Sequence, residues 1–323
     1  MQTTTRVIAT APGSIGNIGP GLDILGLAVT GPGDSVMAEV RAGRGVELAD
    51  PGHPDLPRDP ERHSSAIAAR EVLRIAGARD IGIKLWVRKR LPLSGGQGGS
   101  GASAVAGASA ANALLGTPLG TTDLLLAALA AEETVAGRHA DNLAPSLLGG
   151  AVLIRSLEPL DIVQLPVPAA LRIVLAHPAQ QLRTADARAV LPREVPLEIA
   201  LRQAAAVAGI VAALTSGDLA LLGRSIDDVI AEPARAPLLT GFREAKAAAL
   251  GAGALGASIS GAGPTAFAFA PDDATGGRIA RAMAEAYAAA GVRCTVRVCA
   301  VDRTGVRVSS DTSDPSAFEG ENR

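Results

Sequence analysis

The feature that most constrains this chain is a run of glycine: residues 91–107 read LPLSGGQGGSGASAVAG, and five of the seven positions 95–101 are glycine. Glycine has more backbone freedom to lose on folding than any other residue, so a dense cluster lowers stability unless the backbone needs it. Small, helix-compatible residues follow the cluster. A glycine loop that enters a helix N-terminus exposes backbone N–H groups beside the positive end of the helix dipole, which favours an anion site such as phosphate. A tight strand-to-helix connection without a ligand is the alternative.

Two common phosphate-binding loops fit this stretch poorly. The P-loop pattern needs Gly-Lys-Ser/Thr, and the stretch contains no lysine. The dinucleotide pattern G-x-G-x-x-G can be placed on Gly96, Gly98 and Gly101, but it requires an acidic residue about 20 positions later, after a second strand. Around position 121 the sequence reads GTTDLLLA, which predicts a turn and the start of a helix.

Length and patterning predict one large domain or two medium ones. The 323 residues are 48% hydrophobic and 19% charged but only 2% aromatic, so the core is built from Ala, Leu, Val and Ile. Strand-like and helix-like segments alternate in both halves, which indicates an α+β or α/β fold with a boundary near residues 160–175. The best linker is EPLDIVQLPVP at 158–168, and DLALLGRSIDDVIAE at 218–232 is predicted to form one helix.

Net charge and cysteine usage limit which binding partners and which cellular compartment are expected. The net charge is −2, so no field over the whole chain points to nucleic acid or an anionic membrane. We interpret the one basic cluster, VRKR at 87–90, as a solvated strand end; attraction of a phosphorylated ligand is the alternative. Cys294 and Cys299 are about 16 Å apart along a strand at ~3.3 Å per residue, too far for a disulfide, so reduced thiols in a cytoplasmic protein are expected.

The sequence gives no sign of a secretory signal or of a membrane span. The first residues, MQTTTRVIATAPG, lack the basic start and apolar core of a secretory signal. The apolar stretch AAAVAGIVAAL at 204–214 is shorter than the ~18 residues that suggest a membrane span. The polar, acidic segment SSDTSDPSAFEGENR at 309–323 is expected to be disordered.

Six stretches together resemble a known family. The glycine-bearing stretches APGSIGNIGPGLDILGLAV at 11–29, PLSGGQGGSGASA at 92–104 and GASISGAGPTAFAF at 256–269 resemble, in this order, the three signature motifs of the GHMP kinases. The segments HADNLAPSLLGG at 139–150, TADARAVLP at 184–192 and EPAR at 232–235 are similar to those of the homoserine kinases within that family. The resemblance spans residues 7 to about 300, nearly the whole chain.

The resemblance implies an α+β, two-domain GHMP kinase fold with the active site between the domains. Residues 1–168 would form an ATP-binding domain like the second domain of ribosomal protein S5, residues 169–308 a ferredoxin-like domain, and residues 309–323 a disordered tail. The implied reaction transfers the γ-phosphoryl group of Mg-ATP to the side-chain hydroxyl of L-homoserine, for threonine biosynthesis. ATP and L-homoserine are the expected ligands, nucleic acid and membranes are not, and a homodimer is left open.

On the nucleotide side, the resemblance implies that the second motif wraps the triphosphate. Ser100 and Glu132 match the Mg²⁺ ligands, and an oxygen-only pair completed by phosphate and water suits a hard octahedral cation. The alternatives are that Ser100 only caps the following helix and that Glu133 takes the place of Glu132. The expected nucleotide-binding residues are Pro92, Leu93, Ser94, Gly95, Gly96, Gln97, Gly98, Gly99, Ser100, Gly101 and Ala102.

On the acceptor side, homoserine is a zwitterion with one hydroxyl. Its carboxylate needs cations, for which the fork geometry of arginine is suited, and its ammonium needs an anion. Surface ion pairs are the alternative for the two arginines. The residues matched to these tasks are Arg188 and Arg235 for the carboxylate, Asp23 for the ammonium, and Asn17 and Asn142 for the hydroxyl end, with Thr184 in support.

The candidate catalytic residues are Asn17, Asn142 and His139. The histidine lies near the site in the family but has a less clear role than the ligands. Asparagine cannot accept a proton at neutral pH, so Asn142 is expected to position the hydroxyl. We expect catalysis by alignment and charge neutralisation, with no protein base.

Three positions depart from the family pattern. Gly99 stands where serine is common, Gln97 where leucine is common, and Ala262 where serine is common in the third motif. Since Gly99 keeps its N–H group, phosphate binding is expected to survive, whereas Gln97 is expected to bear on the adenine side. These changes concern affinity more than the type of reaction.

The sequence is compatible with two other functions. One is a GHMP kinase for another small alcohol, such as a mevalonate-pathway or shikimate-type substrate; Asp23 argues against it, because a ligand without an ammonium leaves that carboxylate without a partner. The other is a non-catalytic relative that senses ligands. The retained pair of Ser100 and Glu132 argues against a pure sensor.

Overall fold

The computed structural model describes residues 6–116, 119–135 and 137–310, which form two β-sheets flanked by helices. The first elements are β1 (Arg6–Gly16), β2 (Leu25–Arg41), β3 (Gly45–Asp50), α1 (Ser64–Ile75), β4 (Gly82–Arg88), α2 (Gly99–Leu114), α3 (Thr121–Val135), α4 (Leu143–Leu148), β5 (Ala151–Leu157) and β6 (Leu160–Leu165). Then come β7 (Arg172–Pro178), α5 (Thr184–Ala189), α6 (Leu197–Ser216), α7 (Leu219–Ser225), α8 (Ala231–Arg235), a 3-10 turn (Ala236–Leu238), α9 (Phe242–Gly251), β8 (Gly256–Ile259), β9 (Ala266–Ala270), α10 (Asp273–Ala289), β10 (Cys294–Cys299) and β11 (Arg307–Ser310).

The larger sheet has seven strands. Five follow the order β11-β1-β2-β4-β3, while β5 joins the start of β2 and β6 pairs with β5. The pairs are antiparallel except β3 with β4, which is parallel. A register shift in β1 between Pro12 and Gly13 separates the two parts of its pairing with β2. Beyond this shift the Ser14 N–H donates to the Gln97 carbonyl at 3.1 Å, so the end of β1 lies beside the glycine loop.

The smaller sheet has the order β10-β7-β9-β8, and every pair in it is antiparallel. Numbered along the chain, this is the order 4-1-3-2, with helices between the first two strands and between the last two. That arrangement is the ferredoxin-like one. It confirms the fold class expected from the resemblance.

Small residues allow α2 to lie in the centre of the first half of the molecule. Almost all of its residues are buried, against α1 and α3 on one side and the larger sheet on the other. A Cβ at Gly107 would overlap the backbone of Ser65 in α1. The alanine- and glycine-rich composition of this helix is therefore a requirement of close packing.

The structure corrects two predicted segments. The predicted linker 158–168 contains β6, whose residues 160–165 pair with β5 as a hairpin. The predicted helix 218–232 is broken after α7, because the Asp228 carboxylate accepts the N–H groups of Ile230, Ala231 and Glu232 at 2.9–3.0 Å. These bonds begin α8 and set the direction of its C-terminal residue, Arg235.

The strands divide between the two sheets at residues 166–171, close to the predicted boundary, yet the two halves share a core. Ile15, Leu25 and Leu27 of the larger sheet pack in one cluster with Ile173 and Phe267 of the smaller. The predicted bounds 168/169 stay a prediction. Ser309 and Ser310, assigned to the tail, pair with β1, because the chain returns to the larger sheet after β10. Residues 311–323 lie outside the described part.

Two further expectations concern α6 and the cysteines. Helix α6 has 20 residues and is the one helix, among those described, that is long and apolar enough by composition to cross a membrane. Only 17% of its apolar stretch is buried. Such a helix alone is weak grounds for a membrane protein. Cys294 and Cys299 are both free, as predicted, and burial raises the pKa of each thiol to about 11.

Candidate active site

A cleft of about 720 Å³ opens where loops of the two sheets meet, and it collects nearly all residues predicted for the site. Two of the predicted residues, Gln97 and Ala102, do not line it. The predicted residues that do are Asn17, Asp23, Pro92, Leu93, Ser94, Gly95, Gly96, Gly98, Gly99, Ser100, Gly101, Glu132, His139, Asn142, Thr184, Arg188 and Arg235.

The glycine loop needs glycine for its own geometry. Gly96 and Gly98 have φ of +72° and +70°, a region that other residues rarely adopt. A Cβ at Gly96 would lie 2.6 Å from the Ser260 carbonyl oxygen, and one at Gly98 would overlap the Ser14 hydroxyl. The Ser260 hydroxyl donates to the Gly96 carbonyl at 2.6 Å. The third glycine stretch thus holds the loop at the N-terminus of α2, whose free N–H groups form an anion-binding position.

Ser100 and Glu132 meet across the cleft. The Ser100 hydroxyl donates to Glu132 Oε2 at 2.9 Å, and Gly98, not Ser100, is the N-cap of α2. Glu132 is buried, whereas Glu133 is exposed to solvent. Burial raises the pKa of Glu132 to about 7, against the opposing effects of the Ser100 hydrogen bond and the Lys89 charge. Both alternatives raised by the sequence, a capping role for Ser100 and a role for Glu133, are thereby disfavoured.

Lys89 was not predicted to belong to the site. Its side chain is 5% exposed and forms an ion pair with Asp34, which is fully buried. Its ammonium also donates to the Gly99 carbonyl at 3.0 Å and to the Ser103 hydroxyl at 2.9 Å. The interpretation of VRKR as a solvated strand end is therefore wrong for Lys89, which anchors the first turn of α2.

At the acceptor end, Asp23 and Arg188 bind each other. Arg188 donates to both oxygens of the Asp23 carboxylate, at 2.6 and 3.1 Å, and each side chain is about one third exposed. Asp23 comes from the loop after β1, where its φ is +63°, and Arg188 from α5. The residues matched to the two opposite charges of a zwitterion are thus paired with each other.

The Gly261 carbonyl of the third stretch joins two predicted residues. It accepts hydrogen bonds from Asn17 Nδ2 at 2.9 Å and from the Arg235 guanidinium at 3.0 Å. Asn17 Oδ1 accepts the Asp23 N–H at 3.0 Å, so the amide holds the loop that carries Asp23. Arg235 also donates to the Ala187 carbonyl at 3.1 Å, and burial lowers its pKa.

The remaining predicted residues surround the floor of the cleft. Asn142 Oδ1 accepts a hydrogen bond from the Ser14 hydroxyl at 2.9 Å. His139 is buried, and its Nδ1 lies 4.0 Å from Glu132 Oε1. Thr184 is the first residue of α5 and is half-buried. His139 therefore lies beside Glu132, and Asn142 lies beside the end of β1.

Asp141 was missed by sequence reasoning, although it lies within HADN. Asp141 is 3% exposed and lines the cleft, and its carboxylate accepts a long hydrogen bond of 3.4 Å from Asn142 Nδ2. Burial raises the pKa of Asp141 to about 7, and the charges of Asp23 and Glu132 act in the same direction. An acidic residue between two predicted site residues was the available signal.

The departures from the family pattern have different surroundings. The Gln97 amide is buried, donates to the Thr265 hydroxyl at 3.4 Å and accepts a hydrogen bond from Arg297 at 3.1 Å. It lines a neighbouring pocket of about 500 Å³, together with Lys89, Pro92 and Leu93, rather than the cleft itself. An effect of Gln97 on the adenine side stays a prediction. Gly99 lies in the first turn of α2 and Ala262 lines the cleft, both without a positive φ.

The chemistry available in the cleft has two parts. Backbone N–H groups at a helix N-terminus beside a serine and a carboxylate can hold a phosphate chain and a hard cation. Two arginines and two carboxylates a short way off can hold a small zwitterion. In the described part of the chain, no three or more His, Cys, Asp or Glu side chains are grouped so that they could hold a metal ion by themselves.

The comparisons with known proteins agree with this division. The family model "GHMP kinases N terminal domain" matches residues 64–150, and "GHMP kinases C terminal" matches residues 210–289. A homoserine kinase from Chlorobium phaeobacteroides is 42% identical over 298 residues, covering 88% of this chain and 92% of that protein. A homoserine kinase from Arabidopsis thaliana is 41% identical over 312 residues, covering 94% of this chain and 84% of that protein.

Solved structures are similar over almost the whole chain. The crystal structure of a homoserine kinase from Cytophaga hutchinsonii has a TM-score of 0.92 and 40% sequence identity, covering 96% of this chain and 99% of that one. A mevalonate kinase from L. major has a TM-score of 0.69 at 17% identity, covering 91% of this chain and 95% of that one. The second likeness concerns the fold alone.

Proposed function

This chain belongs to the GHMP kinase family, and from that membership and its cleft we infer that it is a homoserine kinase. It transfers the γ-phosphoryl group of ATP to the side-chain hydroxyl of L-homoserine and so acts in threonine biosynthesis. One observation carries the inference to the substrate: a glycine loop at a helix N-terminus meets two arginines and buried carboxylates in a single cleft. The loop suits a nucleotide phosphate chain, and the charged groups suit a small zwitterion.

We propose that residues 92–102 hold the triphosphate through backbone N–H groups. Support comes from the positive φ of Gly96 and Gly98, which turns the loop around the N-terminus of α2. Lys89 binds the Gly99 carbonyl and stabilises the first turn of that helix. Gln97 and Ala102 contribute through the backbone and the packing of the loop, because neither lines the cleft.

The oxygens of Ser100 and Glu132 fit a magnesium ion. They are 2.9 Å apart and line the cleft, and Glu132 has no arginine or lysine partner within ion-pair distance among the described residues. Oxygen donors with room for phosphate and water are what Mg²⁺ requires. When bound, Mg²⁺ neutralises charge on the phosphate oxygens.

The acceptor hydroxyl is aligned by neutral side chains. Asn142 stands beside Ser14 and the N-terminus of α2, and Asn17 lies at the same floor of the cleft. Both side chains position the hydroxyl for in-line attack, and His139 supports Glu132 from 4.0 Å away. Arg235 and Arg188 face the carboxylate of the amino acid, and Thr184 begins the helix that carries Arg188.

We also propose a cytoplasmic protein without nucleic-acid or membrane partners. The net charge of −2 and two free cysteines with raised pKa values support this.

A homodimer is supported by Leu197 and Leu201 of α6, which are 74% and 61% exposed. Sedimentation of the full chain tests the dimer, and fractionation of cells tests the location.

A coupled assay of ADP release tests the proposed substrate. We expect Mg²⁺-dependent turnover with L-homoserine and only background rates with mevalonate, shikimate or buffer. Turnover with another alcohol and none with homoserine would assign a different acceptor to the same fold. Binding of ATP and homoserine without any ADP release would instead indicate a sensing protein.

A further inference from the structure

The pocket of about 500 Å³ beside the cleft, here called the second pocket, lies against the segment that leads into the glycine loop. Lys89, Pro92 and Leu93 line both spaces, so this segment forms a wall that the two share. The smaller sheet supplies another wall of the second pocket, through residues that do not line the cleft: Leu175, His177, Thr295 and Arg297. The second pocket is therefore separate from the space proposed for ATP and the amino acid.

The wall from the smaller sheet continues the face that packs on the larger sheet. In the register of β7 with β10, Leu175 lies opposite Arg297 and His177 lies opposite Thr295. Side chains two positions apart on a strand share a face, and Leu175 belongs to the core that the two sheets share. His177, Thr295 and Arg297 therefore stand on the same face, at the edge of that core and beside the glycine loop.

The charges that line the second pocket are mainly positive. Arg90 and Arg297 line it together with Lys89, whose charge is balanced by the buried Asp34. Asp55 is the one carboxylate among its lining residues in the described part of the chain, and Asp55 is exposed to solvent. Two guanidinium groups and one exposed carboxylate give this space a potential that attracts anions.

Arg297 is held in place by neutral acceptors. Its Nη1 donates to the Thr30 carbonyl at 2.6 Å, and its Nη2 donates to Gln97 Oε1 at 3.1 Å. These bonds fix the plane of the guanidinium without balancing its charge, and they leave further N–H donors of the same group for a ligand. A fixed guanidinium fork suits a carboxylate or a phosphate group.

The same residues connect the second pocket to the glycine loop. The Thr265 hydroxyl donates to the Gly95 carbonyl and accepts a hydrogen bond from Gln97 Nε2 at 3.4 Å. Arg297 holds the other end of that Gln97 amide, and His177 Nδ1 lies 3.0 Å from the Thr265 hydroxyl. An anion that binds Arg297 therefore competes with Gln97 and loosens a contact that fixes the loop at Gly95.

We propose that the second pocket binds a small organic anion and that this binding lowers the affinity of the glycine loop for nucleotide. Arg297 and Arg90 hold the carboxylate or phosphate group of the anion, and its apolar body packs on Pro32, Leu91 and Leu175. The effect on nucleotide rests on the proposed function of the loop, whereas binding of the anion does not. Because coupling between two sites is reciprocal, bound nucleotide weakens the anion by the same factor.

Calorimetry of the full chain tests whether the anion binds. The cleft is first filled with Mg²⁺ and adenosine 5′-(β,γ-imido)triphosphate, so that a probe cannot occupy the phosphate position. The probes are 4-methylpentanoate and 3-methylbutyl phosphate, and the neutral 4-methylpentanamide is the control for charge. We expect saturable binding of an anionic probe and none of the amide, and the tighter of the two anions identifies the preferred head group.

Two substitutions and a matched control locate the anion. Arg297→Gln should weaken it roughly 10-fold or more, because a charged donor is lost. Arg90→Gln removes an exposed side chain of the same pocket and should also weaken it. Arg293→Gln changes an exposed arginine just before β10 that does not line the pocket, and it should leave the anion unaffected. Binding of Mg²⁺-ADP without the anion shows that each variant is folded.

The dissociation constant of Mg²⁺-ADP, measured at increasing anion concentration, tests the coupling. It should rise roughly fivefold and then reach a plateau, because an anion in a separate site has a limited effect on nucleotide. An anion on the glycine loop itself would raise this constant without limit. Gln97→Leu should still bind the anion, but its affinity for Mg²⁺-ADP should no longer respond to it.

Several results would overturn the inference. Failure of both anions to bind, or equal binding of the amide, would remove the site. Equal weakening in Arg293→Gln and Arg297→Gln would reduce the binding to general attraction by surface charge. A dissociation constant of Mg²⁺-ADP that rises without limit would place the anion on the loop. If the wild type binds the anion but not Mg²⁺-ADP, the proposed function and the coupling both fall, whereas nucleotide binding without anion binding removes this inference alone.

Discussion

The two ends of the cleft are built from different parts of the chain. The end at which we propose phosphate binding is one contiguous segment, residues 92–102, which leads into the N-terminus of α2. The acceptor end collects side chains that are distant in sequence: Asp23 and Arg188, which bind each other, are 165 positions apart. The first end is fixed by backbone conformation, and the second by charge.

The two ends therefore tolerate different kinds of substitution. A backbone site depends on φ and on space, so it accepts a new side chain where φ is ordinary, as at Gly99, but not where φ is positive, as at Gly96. A side-chain site can lose a group without a change of fold, and then loses selectivity. Two ion pairs that involve cleft residues differ in burial, since Lys89–Asp34 is buried and Asp23–Arg188 is partly exposed.

The largest expected effect compares these two ion pairs. Asp34→Ala leaves the Lys89 ammonium buried without a counter-charge, so the free energy of unfolding should fall by about 3–5 kcal/mol. Asp23→Ala removes a pair that is about one third exposed and should cost about 1 kcal/mol or less. Urea unfolding of both variants measures the difference. Equal losses would contradict a structural role for one pair and a ligand-related role for the other.

The next effect compares two glycines of the loop. Gly96→Ala forces a Cβ against the Ser260 carbonyl at a φ of +72°, so kcat/KM for ATP should fall by about 100-fold or more through displacement of the loop. Gly99→Ala places its Cβ 3.3 Å from the Lys89 ammonium at an ordinary φ, so it needs only a small shift of that ammonium and should lower kcat/KM for ATP far less than Gly96→Ala does. If the two variants behave alike in the steady-state assay, positive φ is not what the loop requires.

A smaller effect is expected on the pH dependence of stability when Glu132 is replaced. The pKa of its carboxyl is about 7 in the folded protein and 4.5 as the ordinary value that applies to the unfolded chain. As pH rises, the unfolded chain therefore loses this proton at a lower pH than the folded protein does. Without metal, the contribution of Glu132 to the free energy of unfolding therefore decreases as pH rises from about 4.5 to about 7. Glu132→Gln should be more stable than wild type at pH 8 by about 1–3 kcal/mol and indistinguishable at pH 4.

Glu133→Gln is the matched control for that measurement, because Glu133 is exposed and should show no pH-dependent difference. Mg²⁺ with ADP should stabilise the wild type at pH 8 and stabilise Glu132→Gln less. Lower stability of metal-free Glu132→Gln at pH 8 would show that the carboxylate is satisfied by the protein alone.

The smallest effect is expected for Gln97→Leu, which restores the residue common in the family. The Gln97 side chain contacts Thr265 and Arg297 and does not line the cleft, so KM for ATP should change by about threefold or less, under 1 kcal/mol. A large change in KM for ATP, with KM for homoserine unaffected, would return Gln97 to the adenine side.

Much of the site could be predicted because its signals are local or belong to a recognised pattern. Contiguous glycines before a small-residue segment predict a loop and a helix, and the resemblance supplied the distant partners, all of which line one cleft. The predictions that were wrong depended on bonds formed elsewhere in the chain. Segment 158–168 reads as a linker until it pairs with β5, and 218–232 reads as one helix until Asp228 caps a second.

The sequence by itself determined the kind of molecule: glycine spacing, helical and strand periodicity and six recognisable segments specify a phosphate loop, a two-sheet fold and a kinase family. Only the tertiary structure decided which charges meet. It brings Lys89 to Asp34, Arg188 to Asp23 and Ser100 to Glu132, and it buries Asp141 and Arg235 among the other charged groups of the cleft. The physical reason is that backbone preferences act within a few residues, whereas the energy of a charge depends on burial and on neighbours that only the folded chain supplies.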